Sequence, residues 1–447
     1  MRVQRLNDSA VDLLPLYNAD PSAFAALLQS ASTGNAHARF DLLLIKDPSV
    51  RPVVKFASDH TESFFNQLDA AYRHERIPFA DSPWPFVGGW FLYIGYEAAA
   101  ETEPSLRLPA SQAPTAWMVR CHAAIIVDHE RGCCDLISED SVTVDATRLA
   151  EWQTILAYGR AAAAELPIGP LAIEEDPPEA YLQAVNEALE HIRAGNVYQA
   201  NLARQWSAPL PSSVTGADLY RALRRANPGP FSALARLGDF EVLSTSPERL
   251  LKIRDRRIDT RPIAGTRPRT GNDQQMIDEL RHNSKEIAEH VMLIDLERND
   301  LGRICRAGTV VVDEWMAIES YAHVHHLVSN VSGELNPDVT PGQAIRALFP
   351  GGTITGVPKV RCMQIIADLE QKPREAYTGS LGYLSRDGQM DLNILIRTAW
   401  INGQGQHRRL NLRAGAGIVA DSDPQRELLE TRAKARGLLR GLGLSDA

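Results

Sequence analysis

The sequence predicts a large composite fold of β-strands and helices, on three observations. Its 447 residues exceed what one ordinary hydrophobic core organises, so two domains or one composite fold are expected. The first half carries short apolar runs bounded by polar or turn-forming residues, as buried strands do, and the second half mixes such runs with stretches of helical period. An apolar content of 44% beside 23% charged residues belongs to a soluble globular protein. The net charge of −9, with no long basic run, excludes general nucleic-acid binding, so an anionic ligand needs local donors or a metal. Met1 to Arg5 is not followed by the apolar core of a signal peptide, and no run of 18 apolar residues occurs. A cytoplasmic protein with no membrane partner is expected. Cys121, Cys133, Cys134, Cys305 and Cys362 show neither CxxC nor zinc spacing, which predicts reduced thiols.

Taken in order, residues 40–45 and 123–127 read as buried strands, as does the aromatic run 85–96, whose glycines mark a bulge or a close backbone approach. Residues 147–164 are Ala-rich and helical in character. Pro167, Pro170, Pro177 and Pro178, with the acidic residues 174–176, form the expected linker between an N-terminal β-rich domain (1–170) and a second domain (177–443). Tyr181, Val185, Leu189 and Ile192 recur at helical spacing, and Gly195 is placed to end that helix. The strand that follows carries Gln199, which needs partners if buried and by itself serves structure more often than chemistry. Pro247 and Pro262 exclude helix interiors around 246–249 and 260–269, leaving strand ends and turns. Glu248 is there a general acid or ligand, or else a solvated partner of Arg249.

A single helix from Asp273 to about Asp295 places Glu286 and Glu289 on one face. Residues 321–329 read as a strand with His323 and His325 on one face and His326 on the other. No further ligand joins them at zinc spacing, so proton transfer, substrate orientation or plain structure remain their roles. Residues 351–359 lack the spacing of a phosphate loop but offer NH donors near a helix start. An alternating strand ends at Ile396, Arg397 and Thr398, a Gly-rich turn spans 413–419, and a helix opens near Asp423 and Pro424 carrying Glu427 and Glu430. An Arg leaving a strand can hold a carboxylate by two parallel hydrogen bonds, and Gly-rich backbone can approach an anion closely. Two helices with paired carboxylates can hold Mg²⁺, with Glu289 and Glu430 as direct ligands and Glu286 and Glu427 acting through water. A Gly-rich turn before an ordinary charged surface helix is the plainer alternative.

With these motifs in order, the chain resembles the chorismate-utilising enzymes: anthranilate synthase component I, aminodeoxychorismate synthase component I, and the isochorismate and salicylate synthases. The carriers are SPER at 246–249, RPIAGTRPR at 261–269, AEHVMLIDLERNDLGR at 288–303, HHLVS at 325–329, GGTITGVPKVR at 351–361 and AGAGIVADSDP at 414–424. The resemblance implies an α+β fold, with large antiparallel β-sheets in a composite sandwich flanked by helices. It implies Mg²⁺ bridging Glu289 and Glu430 to the ring carboxylate of chorismate. It further implies that Arg397, Tyr377 and the backbone of Gly415, Ala416 and Gly417 hold carboxylates, that Thr266 contacts substrate, that Glu248 is the acid near the departing C4 hydroxyl, and that His326 stands beside the ring.

The hydroxylating branches resemble one another in a Lys where this chain has Gln199, and Gln cannot act as a base near neutral pH, so amination with ammonia is expected. Residues 39–41, 230–233, 321–329 and 391–397 resemble aminodeoxychorismate synthase, whereas the LLES and NPSPY motifs associated with tryptophan feedback are not matched. Ala264 stands where many such synthases have the Lys nucleophile of PIKGT, and Ala offers no nucleophile. The expected reaction is amination of chorismate to 4-amino-4-deoxychorismate, for 4-aminobenzoate and folate, with anthranilate synthesis as the alternative. No cysteine lies in a Gly-x-Cys-x-Gly elbow, so ammonia is expected from a separate glutamine amidotransferase subunit. The short sequence after the Glu430 helix is expected to hold no fused lyase.

Overall fold

The computed structural model describes residues 1–31, 39–59, 62–79, 81–158, 171–269, 271–321 and 324–443. Pro167, Pro170, residues 159–164 of the expected Ala-rich helix, and His323 lie outside the described residues.

Period-two alternation builds the layers. In the strand Phe40–Lys46, Leu42 and Leu44 enter one buried cluster while Leu43 and Ile45 enter another. In Gly89–Ile94, Phe91 and Tyr93 face the first cluster and Trp90, Leu92 and Ile94 a third. Strands apolar on both faces must be covered on both. The 13-residue strand Ala116–Asp128 is the hub, pairing with Phe40–Lys46 through its second half and with Val53–Lys55 and Gly89–Ile94 through its first.

From this hub two antiparallel arms run. One passes through Phe24–Gln29, Phe231–Leu237, Phe240–Ser246, Thr398–Asn402 and Arg409–Ile418 to Gln199–Pro209. The other passes through Ser380–Ser385, Met390–Asn393, Arg249–Arg254 and Arg257–Thr260 to Val324–Glu334, which also pairs with Ile263–Pro268 and Val311–Ser320. Residues of both arms, among them Ala26, Leu44, Phe91, Tyr93, Val242, Tyr383 and Trp400, pack into one interior. Helices Leu14–Ala19, Ala146–Tyr158, Gly216–Ala226 and Pro424–Gly441 cover the first arm, and Phe64–Glu75, Ser284–Gly302 and Pro341–Leu348 cover the second. This is the expected α+β sandwich with a large antiparallel sheet. Strands from either side of the proline cluster pair directly, Phe24–Gln29 with Phe231–Leu237 and Gly89–Ile94 with Ser380–Ser385.

Three local expectations change. The helix expected from Asp273 is two, Asp273–His282 and Ser284–Gly302, because Asn283 is extended and its side chain accepts from the Glu286 N–H at 3.2 Å as a cap does. The Gly-rich segment 413–418 is not a turn but the end of the strand Arg409–Ile418. Arg397 sits between strands in the left-handed region, with φ of 51°. All five cysteines are free and buried. Among the described residues no helix is long and apolar enough to cross a membrane.

Candidate active site

The strand Gln199–Pro209 pairs along its length with Arg409–Ile418, setting Gly417 opposite Asn201 and Gly415 opposite Ala203. The glycines are there for close approach. A Cβ on Gly415 would lie 2.7 Å from the Leu202 carbonyl and 2.8 Å from Tyr377 Oη, and one on Gly417 would collide with the Gln199 amide. Ala416 turns its methyl into the core beneath, so it has only backbone to offer a ligand. Gln199 is buried, and neither its Oε1 nor Asn201 Oδ1 has a hydrogen-bond partner among the described residues. The other edge of this strand carries the segment 352–357, with Gly356 opposite Ala200 and Val357 opposite Gln199. That segment supplies Thr353.

Glu248 faces Thr353 and the backbone of Ile263, and both Glu248 Oε1 and Thr353 Oγ1 are buried without a partner among the described residues. Burial, aided by nearby Glu297 and opposed by the Thr353 hydroxyl, the Ile263 backbone and Lys434, pushes its carboxyl up to about 7. Glu248 is thus not a solvated partner of Arg249, whose guanidinium is held instead by Asp391 at 2.9 and 3.1 Å. His326 contacts Thr266 through Nδ1 and Oγ1 at 2.8 Å, with the Tyr321 ring against its edge at 5.5 Å. Burial, then the charge of Arg397, lowers it to about 4, so it is neutral at physiological pH. Arg397 donates to the Lys434 carbonyl at 2.8 Å, and its charge also reaches Tyr377, whose hydroxyl burial pushes up to about 12. Ala264 is half-buried beside Gly265, where a Cβ would collide with Glu286.

The four glutamates differ. Glu286 Oε1 accepts from Arg267 at 2.7 Å, while its Oε2 is buried without a partner among the described residues. Glu289 is half-buried and Glu427 buried, while Glu430 is exposed and paired with Lys434 Nζ at 2.8 Å. Hard carboxylate donors on two helices and an orphaned buried oxygen fit the chemistry of Mg²⁺. Among the described residues no group of three or more His, Cys, Asp or Glu side chains gathers at metal-binding distance, and Glu286 and Glu430 are each met by a cation, Arg267 and Lys434. His325 is turned away from the site, against Ser320 at 2.7 Å.

Sequence reasoning missed Lys434, Thr353 and Glu297. Lys434 carried a signal, since it lies four residues after Glu430 and a Glu-to-Lys pair at that spacing shares a helix face. Thr353 was inside a noted motif without a role. Glu297 had none: a Glu between Leu296 and Arg298 in a helix reads as solvated charge.

A strand-borne cradle of backbone and Tyr377, the cations of Arg397 and Lys434, a neutral His326 and the buried acid Glu248 have the chemistry to hold a small polycarboxylate. Residues 25–440 match the model of the chorismate binding enzyme family, and the chain belongs to that family. It is 44% identical to an anthranilate synthase component I-like protein of Synechocystis sp. strain PCC 6803, over 85% of this chain and 78% of the relative. It is 38% identical to aminodeoxychorismate synthase component 1 of Bacillus subtilis strain 168, over 86% of this chain and 82% of the relative. Its fold superposes on the crystal structure of anthranilate synthase component I from Streptococcus pneumoniae TIGR4 with a TM-score of 0.77 at 31% identity, covering 91% and 93% of the two chains.

Proposed function

We propose that the chain aminates chorismate with ammonia to 4-amino-4-deoxychorismate, releasing water, for the synthesis of 4-aminobenzoate. One observation carries the reading. A buried acid, Glu248, meets Thr353 of the segment 352–357, whose Val357 pairs with Gln199, a buried neutral side chain whose Oε1 has no partner among the described residues. The site holds a proton donor for a departing hydroxide but no side-chain base at Gln199 to activate water, so ammonia, itself the nucleophile, is the co-substrate. Arg397, Tyr377 and the backbone at 415–417 would hold the substrate carboxylates, Thr266 would orient the neutral His326 beside the ring, and Glu248 would hand its proton to the C4 hydroxyl as it leaves. Mg²⁺ held by Glu289 and Glu430, with Glu286 and Glu427 in support, would neutralise the ring carboxylate when bound. A separate glutamine amidotransferase would supply the ammonia.

A second reading, anthranilate synthesis, is favoured by Ala264, which provides no amine for a covalent step at C2, and by relatives that carry that name. Against it stands Gln29. The segment Leu27-Leu28-Gln29-Ser30 departs from LLES at Gln29, and its Leu28, Gln29 and Ser30, with Pro230 and Phe231, line a cavity of about 290 Å³ between the sheet arms. The Gln29 side chain is committed to Asp41 at 3.0 Å, Arg224 at 2.8 Å and Tyr220 at 3.2 Å, leaving no carboxylate at that position for an amino acid's ammonium group. Product identification after incubation with chorismate, Mg²⁺ and an ammonium salt separates the readings. A product that aminodeoxychorismate lyase converts to 4-aminobenzoate, formed at a rate tryptophan leaves unchanged, is expected, whereas anthranilate alone would overturn the proposal.

A further inference from the structure

The proposed acid chemistry leaves one buried carboxyl unused. Glu297 belongs to the helix Ser284–Gly302, where Asp295 and Arg298 are exposed and pair with each other, yet its own side chain is 6% exposed. Thr260 donates to its Oε2 at 3.1 Å, and a Cβ on Gly352 would lie 3.3 Å from its Oε1. Both contacts belong to segments that also reach Glu248, since Ile263 follows Thr260 in the same run and Thr353 adjoins Gly352. The same two short segments therefore touch both acids. Lys359 and Asp300, joined at 2.5 Å, face Glu297, while Glu297 and Lys434 face Glu248. Lys359 is shared with Asp300 and with the Leu348 carbonyl at 3.2 Å, so it offsets only part of any charge on Glu297.

We propose that Glu297 is a positioning residue for the acid step, a second buried carboxyl whose charge keeps the proton on Glu248 until the departing hydroxyl takes it. The inference rests on the reading of Glu248 as the acid. Two carboxyls in one desolvated region resist double ionisation, so a negative charge on one holds the proton on the other. Burial places both near neutrality, at about 7, where such sharing acts at working pH.

Infrared difference spectra of the protonated-carboxyl C=O stretch, recorded without substrate, report this coupling whatever the reaction proves to be. The Glu248 band, assigned by its loss in Glu248→Gln, should titrate lower in Glu297→Gln by on the order of one pH unit. The basic limb of kcat/KM with chorismate and ammonium should move down with it. Glu248→Gln should also keep a near-neutral carboxyl that Glu248→Gln/Glu297→Gln lacks, which tests the idea even if the single Glu297 variant fails to fold. An unmoved Glu248 band and basic limb, or no near-neutral carboxyl traceable to Glu297, would overturn the proposal. A band that shifts in an enzyme that does not turn over chorismate would support the coupling and sink only the amination reading.

Discussion

An added methyl meets a different obstacle at each glycine of the strand at 415–417. At Gly415 the obstacle is the Leu202 carbonyl, part of the paired backbone, whereas at Gly417 it is the end of a flexible amide side chain. Gly415→Ala should cost about 1–3 kcal/mol in denaturant titrations and raise KM for chorismate. Gly417→Ala should leave stability nearly unchanged and disturb only the kinetics, by displacing Gln199. Glu248 offers a sharper pair of outcomes. Glu248→Gln should lower kcat by roughly 10²- to 10⁴-fold, the usual contribution of a general acid. It should also stabilise the protein. The folded carboxyl titrates at about 7 against an ordinary 4.5, so its ionisation penalises the native state above 7 and that penalty fades as pH falls toward 4.5. Melting curves should show the variant more stable at alkaline pH, by on the order of 1–3 kcal/mol, with the gain gone near pH 4.5. Residue types and motifs made Glu248, Arg397 and Gln199 visible before folding, and the family resemblance alone pointed to Tyr377. Burial did not show, and burial is what separates Glu297 from the exposed Glu430.

Among the elements, helices were legible where breakers punctuate them. Pro178 opens Pro178–Arg193, Gly195 at φ 74° follows it, and Asp423 caps Pro424–Gly441 by accepting from the Arg426 N–H at 2.9 Å. The break at Asn283 was not, because Asn fits a helix interior poorly but does not forbid it. Asn283→Ala should cost about 1 kcal/mol through loss of the cap. Because Glu286 and Glu289 lie in the turns it organises, the same variant should bind Mg²⁺ more weakly by calorimetric titration. A buried ion cluster fastens the site's elements to one another. Arg374 donates to Glu370 and to the Asn201 carbonyl at 2.6 Å each, and to the Ile354 carbonyl at 3.3 Å, and Arg413 also holds Glu370 at 3.0 Å. Arg374→Met should cost about 3–5 kcal/mol in denaturant unfolding, since it strands two carbonyls and half the neutralisation of Glu370.

For the molecule as a whole, the pairing of Phe24–Gln29 with Phe231–Leu237 and of Gly89–Ile94 with Ser380–Ser385 makes the two halves of the chain one cooperative sheet. Residues 1–176 expressed alone should lack cooperative unfolding by circular dichroism, because two of their strands would expose unpaired edges and half the interior cluster would be missing. The intact chain should unfold in one main transition. Strand alternation, helical period, breakers and ordered motifs were readable along the chain, since each depends on residues a few positions apart, and they specified the α+β class, the family resemblance and most of the candidate residues. Other features arise from segments farther apart in sequence: the strand that replaces an expected turn at 413–418, the Arg267–Glu286 pair, and the reach of the Glu297 charge to Glu248. Their energies depend on desolvation and distance, and a linear pattern carries neither.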